Sequence, residues 1–290
     1  MKKRQTTYGM RRNRRKMFHR IGTVHPIVAR AAVTLLIFAA WRLTAADGRH
    51  PQLSAGNSRE LLKVGTDGTQ AEQIVEYTGF TVSYNAEAHQ PNYVAWELTG
   101  RETEGRESRD AKWDVDRSVC GTAELSDYRR SGFDRGHMIP AADVKWDAEA
   151  MRESHLLTNI CPQDHKLNAG AWATLESNCR QWAVRDSAII IICGPVLSDY
   201  MPRTIGPEER KIPVPERFFK VVLSPYSVPP RGIGFLMNNG PVEGGVQASA
   251  VTIDMVEAVT GYDFFASLPD DIENEVEAQC AYHEWQRKKR

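Results

Sequence analysis

The segment that decides the fold is Asp134-Arg135-Gly136-His137-Met138-Ile139-Pro140-Ala141-Ala142-Asp143, which places a cation, a glycine and an imidazole side by side before a proline. Proline lacks a backbone N–H and disfavours helical geometry in the residue before it, so His137 is not expected inside a helix. Gly136 would let the backbone fold so that Arg135 and His137 face one cleft. The segment therefore predicts a functional site on an extended piece of chain.

A second group of polar side chains follows His137 in the stretch 168–176, Asn-Ala-Gly-Ala-Trp-Ala-Thr-Leu-Glu. This stretch has helical composition and offers the amide oxygen of Asn168 and then the carboxylate of Glu176. An imidazole base, a ligand for a hard cation and an arginine that binds phosphate are the groups that metal-assisted phosphodiester cleavage requires. The two segments together indicate that chemistry.

Three ordered blocks carry a resemblance to a known family: Asp134-Arg-Gly-His137, Thr158-Asn-Ile-Cys-Pro-Gln163, and Asn168-x-Gly-x-Trp172 with Leu175-Glu176. They resemble the DNA/RNA non-specific endonucleases of the ββα-metal superfamily, which include secreted bacterial nucleases and mitochondrial endonuclease G. Weaker similarity runs from about residue 91 to residue 265. The resemblance implies a metal-dependent endonuclease that hydrolyses DNA and RNA without preference for base or sugar, with a ββα-metal motif at its active site.

The residue roles follow partly from chemistry and partly from this resemblance. His137 is the expected general base because an unperturbed imidazole titrates near pH ~6.5; a structural, hydrogen-bonded histidine is the alternative. Asn168 is the expected ligand of Mg²⁺, with Mn²⁺ as a second ion, and it also has the composition of a helix N-cap. Arg135 would bind the scissile phosphate bidentately, or else form a salt bridge with Asp134 or Asp143.

Glu176 lies eight residues after Asn168, which is roughly 12 Å along a straight helix. That separation is too long for one shared inner coordination sphere, so Glu176 is expected to orient metal-bound water or the active-site arginine. A surface salt bridge with Arg180 is its alternative. The resemblance also suggests that Arg109 reads phosphate and that Asn159 and Asp134 support the site. We expect His155 and His165 to be structural.

Two other functions fit the residues less well. One is a surface module that binds nucleic acid without cleaving it; retention of His137, Asn168, Glu176 and Arg135 speaks against this. The other is a phosphodiesterase that acts on small substrates. The oligomeric state and an inhibitor protein as partner stay open.

The charge is distributed unevenly along the chain. The 37 Lys/Arg balance 37 Asp/Glu, yet residues 1–46 hold 11 basic and no acidic residues, which leaves 26 basic against 37 acidic, or −11, after residue 46. Phosphate binding would then need a local basic cleft. Basic residues do concentrate near the first motif: Arg106, Arg109, Lys112, Arg117, Arg129, Arg130 and Arg135.

The first 46 residues read as a signal peptide: a basic start, an apolar run over 31–41, and small residues at 44–46. This predicts a secreted or periplasmic protein with transient membrane contact through the signal segment, or alternatively an uncleaved membrane anchor. A polar linker is expected over 47–75 and the endonuclease domain over 76–290. The five cysteines allow disulfides or buried free thiols.

The remaining pattern predicts an α+β fold with a mixed, largely antiparallel sheet and flanking helices, because strands dominate and helices are interspersed irregularly. The expected strands lie at 76–85, 93–98, 187–193, 213–224 and 232–237. The expected helices lie at 147–156, 167–185, 249–259 and 272–290.

Overall fold

The structure is a computed structural model that describes residues 58–109, 111–198 and 202–286. The signal or anchor expected over 1–46, the start of the expected linker and the basic end 287–290 lie outside these residues.

The described chain contains strands joined mainly by short loops and helices. The strands are β1 Val64–Gly65, β2 Gln73–Tyr77, β3 Phe80–Asn85, β4 Gln90–Thr99, β5 Asp134–His137, β6 Ile160–Gln163, β7 Ala188–Val196, β8 Thr204–Ile205, β9 Ile212–Pro213, β10 Arg217–Ser224, β11 Arg231–Asn238, β12 Ala250–Val251 and β13 Asp263–Phe264. The helices are α1 Ser58–Leu61, α2 Ala148–Ser154, α3 Ala173–Asp186, α4 Gly245–Ala248, α5 Ile253–Thr260, α6 Asp270–Glu277 and α7 Tyr282–Trp285.

A seven-stranded sheet in the order β12-β11-β10-β7-β4-β3-β2 forms the centre of the described chain. Every neighbouring pair in it is antiparallel. The predicted α+β class with a largely antiparallel sheet is confirmed. The pair β5–β6 stands apart from this sheet.

The central strand β7 separates two hydrophobic cores. Ile189 and Ile191 pack on one face with α3, while Ile190 and Ile192 pack on the other face with α5. Because both faces are covered, the strand reads as a continuous apolar run rather than as an alternating one. The strand predicted over 187–193 is confirmed.

The stretch 76–85 differs from the prediction of one strand. It is a hairpin: β2 ends at Tyr77, the chain turns at Thr78-Gly79, and β3 begins at Phe80. Gly79 has φ +88°, a left-handed conformation that suits glycine and allows a tight turn.

The expected linker over 47–75 is also corrected where the structure describes it. Leu61 of α1 is 2% exposed, and Val64 of β1 pairs with Phe264 of β13. Residues 58–75 are polar in composition, but these few apolar contacts hold them in the domain.

The predicted helices are present with shorter bounds. Asp147 caps α2 by accepting from the backbone N–H of Glu149 at 2.8 Å and of Ala150 at 2.9 Å. Gly261, at φ +72°, ends α5 where the sequence predicts. The helix expected over 272–290 is two pieces, α6 and α7. All five cysteines lie in the described ranges and are free thiols.

Candidate active site

The first and second motifs form an antiparallel pair of short strands. His137 lies opposite Ile160, and Gly136 lies opposite Cys161. A Cβ atom at Gly136 would overlap the side chain of Gln163, so glycine is needed there for close approach of β5 and β6. The next helical segment begins at Leu167, which completes a strand–strand–helix unit.

His137 lies in an enclosed, aromatic environment. The residue is 8% exposed, and its Nε2 is buried without a hydrogen-bond partner. Trp172 Nε1 donates to the carbonyl oxygen of His137 at 3.3 Å. Burial, with smaller contributions from the charges of His155 and Arg109, lowers the pKa of His137 to about 3. The imidazole is therefore neutral at pH 7, the form that accepts a proton.

Trp113 connects the groups around His137. Its ring lies 4.9 Å from the His137 ring and 5.1 Å from the His155 ring, and the Arg135 guanidinium lies 4.9 Å above it. The His155 ring lies 5.1 Å from the His137 ring, so His155 packs directly against the candidate base. Trp113 was missed from sequence; the one signal was a lone tryptophan in an otherwise polar stretch.

Asn168 and Asp134 lie side by side. Asn168 Nδ2 donates to Asp134 Oδ2 at 2.9 Å, and His165 Nδ1 lies 2.8 Å from the same oxygen. This bond engages the nitrogen of the amide and leaves its oxygen, Oδ1, for another partner. An amide oxygen beside a carboxylate is a donor set that a hard divalent cation prefers, so these residues fit such an ion.

The backbone around Asn168 departs from a regular helix. Leu167–Trp172 forms a π-helical turn, with non-helical angles of φ −109° and ψ −109° at Gly170, before α3 begins at Ala173. Asn168 is inside this turn and not at the N-cap. The straight-helix separation of Asn168 from Glu176 therefore does not apply. Turns of this type are common at functional sites.

Glu176 belongs to a network of buried charges beneath the site. The alternative pair of Glu176 with Arg180 is not formed: Arg180 donates to Asp143 Oδ1 at 2.9 Å, and Trp96 Nε1 donates to Asp143 Oδ2 at 3.3 Å. Burial raises the pKa of Glu176 to about 7; Lys220 and then Arg180 oppose this, and Asp143 adds to it. Glu176 thus titrates close to neutral pH.

Lys220 is the cation at the centre of this network and was missed from sequence. It is 1% exposed, with Nζ 4.4 Å from the Trp172 ring and 5.1 Å from the Trp96 ring. Burial lowers its pKa, but neighbouring thiols and the carboxyl groups of Glu176 and Asp143 outweigh that effect and raise it. Lys220 therefore remains charged beneath the site.

Asn159 holds the chain that follows His137. Its Nδ2 donates to the carbonyl oxygens of Ile139 at 3.0 Å and Ser154 at 2.8 Å, while its Oδ1 accepts from the Ile139 N–H at 3.0 Å. The amide is fully occupied by backbone groups. Asn159 thus positions the backbone after His137, while its role beside a metal ion stays a prediction.

Arg109 lies on an exposed loop, apart from the strand–strand–helix unit. Its positive charge lowers the pKa of His137, His155 and Glu176, so it lies near all three. The structure thus places His137 and His155 near the positive charges of Arg109 and, through Trp113, of Arg135.

Two comparisons with known proteins give the same family, and a third gives the same fold. The family described as DNA/RNA non-specific endonuclease matches residues 57–271. Nuclease 1, mitochondrial, of Schizosaccharomyces pombe is 30% identical over 73% of this chain and 72% of its own length. Nuclease EXOG, mitochondrial, of Danio rerio is 32% identical over 66% of this chain and 60% of its own. The crystal structure of the EndoG/EndoGI complex contains a chain with a TM-score of 0.65 at 23% identity, covering 74% of this chain and 94% of that one, which shows the shared fold.

The comparisons contradict the predicted secreted or periplasmic location. The two relatives above and the EXOG nucleases of Xenopus laevis and Homo sapiens are named as mitochondrial. Secretory signals and organellar transit peptides share basic residues and a scarcity of acidic ones, so the composition of residues 1–46 does not separate them. Within the described ranges, no helix has the length and apolarity needed to cross a bilayer.

Proposed function

The chain belongs to the DNA/RNA non-specific endonuclease family, and from that premise we propose that it is a metal-dependent endonuclease in which His137 is the general base. Its substrates are nucleic acids, and the bond it hydrolyses is the phosphodiester. The observation that carries the proposal is the buried imidazole of His137, which packs on Trp113 beside the Arg135 guanidinium and lies near the charge of Arg109.

In this proposal His137 takes the proton from the attacking water. Its low pKa of about 3 keeps the imidazole unprotonated, although so weak a base would be a poor acceptor. An anionic phosphate at the site would favour the imidazolium and raise that pKa towards the working pH. The hydrogen bond that Trp172 Nε1 donates to the carbonyl oxygen of His137 holds the backbone, and the ring of Trp113 packs against the imidazole.

Asn168, with Asp134 holding its amide nitrogen, is the residue that would hold the divalent ion, Mg²⁺ or Mn²⁺. Such an ion supplies charge that stabilises the phosphate and the departing oxygen. Glu176, as a carboxylate beneath the site, orients water or the active-site arginine, and Arg135 and Arg109 neutralise phosphate oxygens. Contacts of this kind carry no direct sequence information, which accounts for cleavage of DNA and RNA alike.

The test is digestion of supercoiled plasmid and ribosomal RNA by the purified chain with Mg²⁺, with Mn²⁺ and with chelator. We expect metal-dependent loss of both substrates by the unaltered chain, and a decrease of at least about 100-fold in His137→Ala. The matched control is His283→Ala, since that side chain is 69% exposed and lies in the C-terminal helix α7. Equal activity of a folded His137→Ala protein would refute the assignment of the base.

Assays on the same purified chain distinguish this proposal from the two alternatives, a nucleic-acid-binding module and a phosphodiesterase of small substrates. A binding module would retain nucleic acid in a salt-dependent manner without cutting it under any divalent ion. A small-substrate phosphodiesterase would hydrolyse a dinucleotide at least as fast as the polymer. An inhibitor protein as partner remains a proposal; the related EndoG was crystallised with EndoGI.

A further inference from the structure

Five carboxylates gather on the face of the sheet opposite to the candidate active site. They come from α5, β13 and α6: Asp254, Glu257, Asp263, Glu273 and Glu277. Ligand atoms of Asp254, Glu257 and Glu277 all lie within 4.8 Å of one another, and so do those of Asp263, Glu273 and Glu277. Glu277 is common to both groups and links them into one cluster.

Glu277 is the independent reason to expect a ligand there. The residue is 8% exposed, and its Oε1 is buried without a hydrogen-bond partner. The largest charges that act on it are those of the four other carboxylates, and burial and then these charges raise the pKa of Glu277 to about 8. Glu257 is partly satisfied, because its Oε1 accepts from the Phe264 N–H at 2.8 Å.

A buried carboxylate without a partner is costly, and the cost is relieved by a proton or by a cation. Oxygens that bind Ca²⁺ lie about 2.3–2.6 Å from the ion, so ligand atoms on opposite sides are up to about 5 Å apart. The observed spacing meets that requirement. Ca²⁺ binds several carboxylate oxygens in a flexible geometry, whereas Mg²⁺ is usually bound by one or two carboxylates and keeps several water ligands.

We infer that Asp254, Glu257, Asp263, Glu273 and Glu277 form a Ca²⁺ site, separate from the catalytic centre, that ties α6 to α5 and β13. The site stabilises the fold and takes no part in cleavage. Because β13 pairs with β1, the ion also fastens the first described strand to the C-terminal helices. This inference does not depend on the proposed catalytic roles.

The experiment is thermal unfolding of the full chain in EGTA and in increasing CaCl₂, together with the calcium content measured after dialysis. At a Ca²⁺ concentration about 100 times the Kd, we expect the Tm to rise by roughly 5–10 °C. The Asn168→Ala variant, which lacks the proposed catalytic ligand, should show the same rise and the same bound calcium. MgCl₂ at equal concentration should give a smaller rise.

Variants at the cluster provide the decisive comparison. Glu277→Gln should not respond to Ca²⁺, because the carboxylate shared by both groups is removed. A second variant changes both exposed residues of the cluster, Asp254 and Asp263, to Asn. It retains the buried Glu277 and should also lose the rise of Tm with Ca²⁺. Asp271→Asn, on the exposed side of α6 and outside both groups, is the matched control and should keep it.

Two results would overturn the inference. One is a Tm of the unaltered chain that does not change with Ca²⁺ and rises only as the pH falls, which would assign a proton to the cluster. The other is a Ca²⁺ response that persists in both cluster variants, which would place the ion elsewhere.

Discussion

Replacing Lys220 by methionine should move the pH dependence of cleavage towards higher pH. Burial holds the pKa of Glu176 at about 7, and among the neighbouring charges Lys220 lowers it most. If Glu176 acts as a carboxylate, the rate falls as the pH drops through that value. Removing Lys220 removes a charge that favours the ionised form, so the fall begins at a higher pH.

The size of the effect follows from the low exposure of this network. Lys220 is 1% exposed and Glu176 is half-buried, so the screening by water is weak. At an effective dielectric constant near 20, two unit charges interact by about 4 kcal/mol at 4 Å and still by about 1.7 kcal/mol at 10 Å, so we expect a movement of at least about one pH unit. Methionine retains the length of the lysine stem between the rings of Trp96 and Trp172.

Asp143→Asn is the matched control, because Asp143 acts on the pKa of Glu176 in the direction opposite to Lys220. Asp143 raises the pKa of Glu176, so its neutralisation should move the acidic limb of kcat/KM towards lower pH. Trp96 and Arg180 donate to different oxygens of Asp143, so the single asparagine oxygen keeps one of these two hydrogen bonds. The measurement is kcat/KM on a fluorescent oligonucleotide from pH 5 to pH 9, with near-ultraviolet circular dichroism as the check of folding. Movement of both folded variants in the same direction, or of neither, would refute the assignment of this limb to Glu176.

Three further changes test other parts of the site. Gly136→Ala should destabilise the chain by roughly 1–3 kcal/mol in urea unfolding, because the new Cβ overlaps Gln163, whereas Gly240→Ala, with nothing within 4 Å of its Cβ, should change stability little. Trp113→Ala should expose the His137 ring and so raise the pKa of His137, which NMR can follow. It should also slow cleavage by about 10-fold or more. Trp113→Phe, which keeps an aromatic ring beside His137, is the control. Arg109→Ala should reduce the slope of log(kcat/KM) against log[salt] by roughly 1; Arg117→Ala, whose side chain is 76% exposed and paired with Glu124, should leave the slope nearly unchanged.

Local patterns in the sequence were sufficient to predict several individual strands and helices. The apolar run of β7, the capped start of α2 and the stop at Gly261 each follow from a few neighbouring residues. The antiparallel character of the sheet also followed, because the predicted strands lacked regular helical crossovers. The hairpin turn at Thr78-Gly79 was missed although the glycine was visible, since the flanking aromatic residues continued the strand pattern across it.

Residues that act through distant partners were not predictable in this way. A lysine inside a strand is normally solvent-facing, and Lys220 is buried because Glu176 and Asp143, from other elements, neutralise it. Trp113 belongs to a polar loop with no periodicity, so nothing local indicated its contact with His137. The residues that surround the candidate site, such as Lys220 and Trp113, are therefore placed by the tertiary structure. The motif residues, in contrast, could be recognised from short segments of the sequence.

The position of β7 between β4 and β10 has a consequence for synthesis of the chain on the ribosome. The strand β4 pairs with β3 as soon as both have emerged, but its other edge is completed only by β7, about ninety residues later. At about 5–20 residues per second, that edge stays open for roughly 5–20 s. It presents unpaired N–H and C=O groups beside apolar side chains, which is the kind of surface that recruits a second nascent chain or a chaperone.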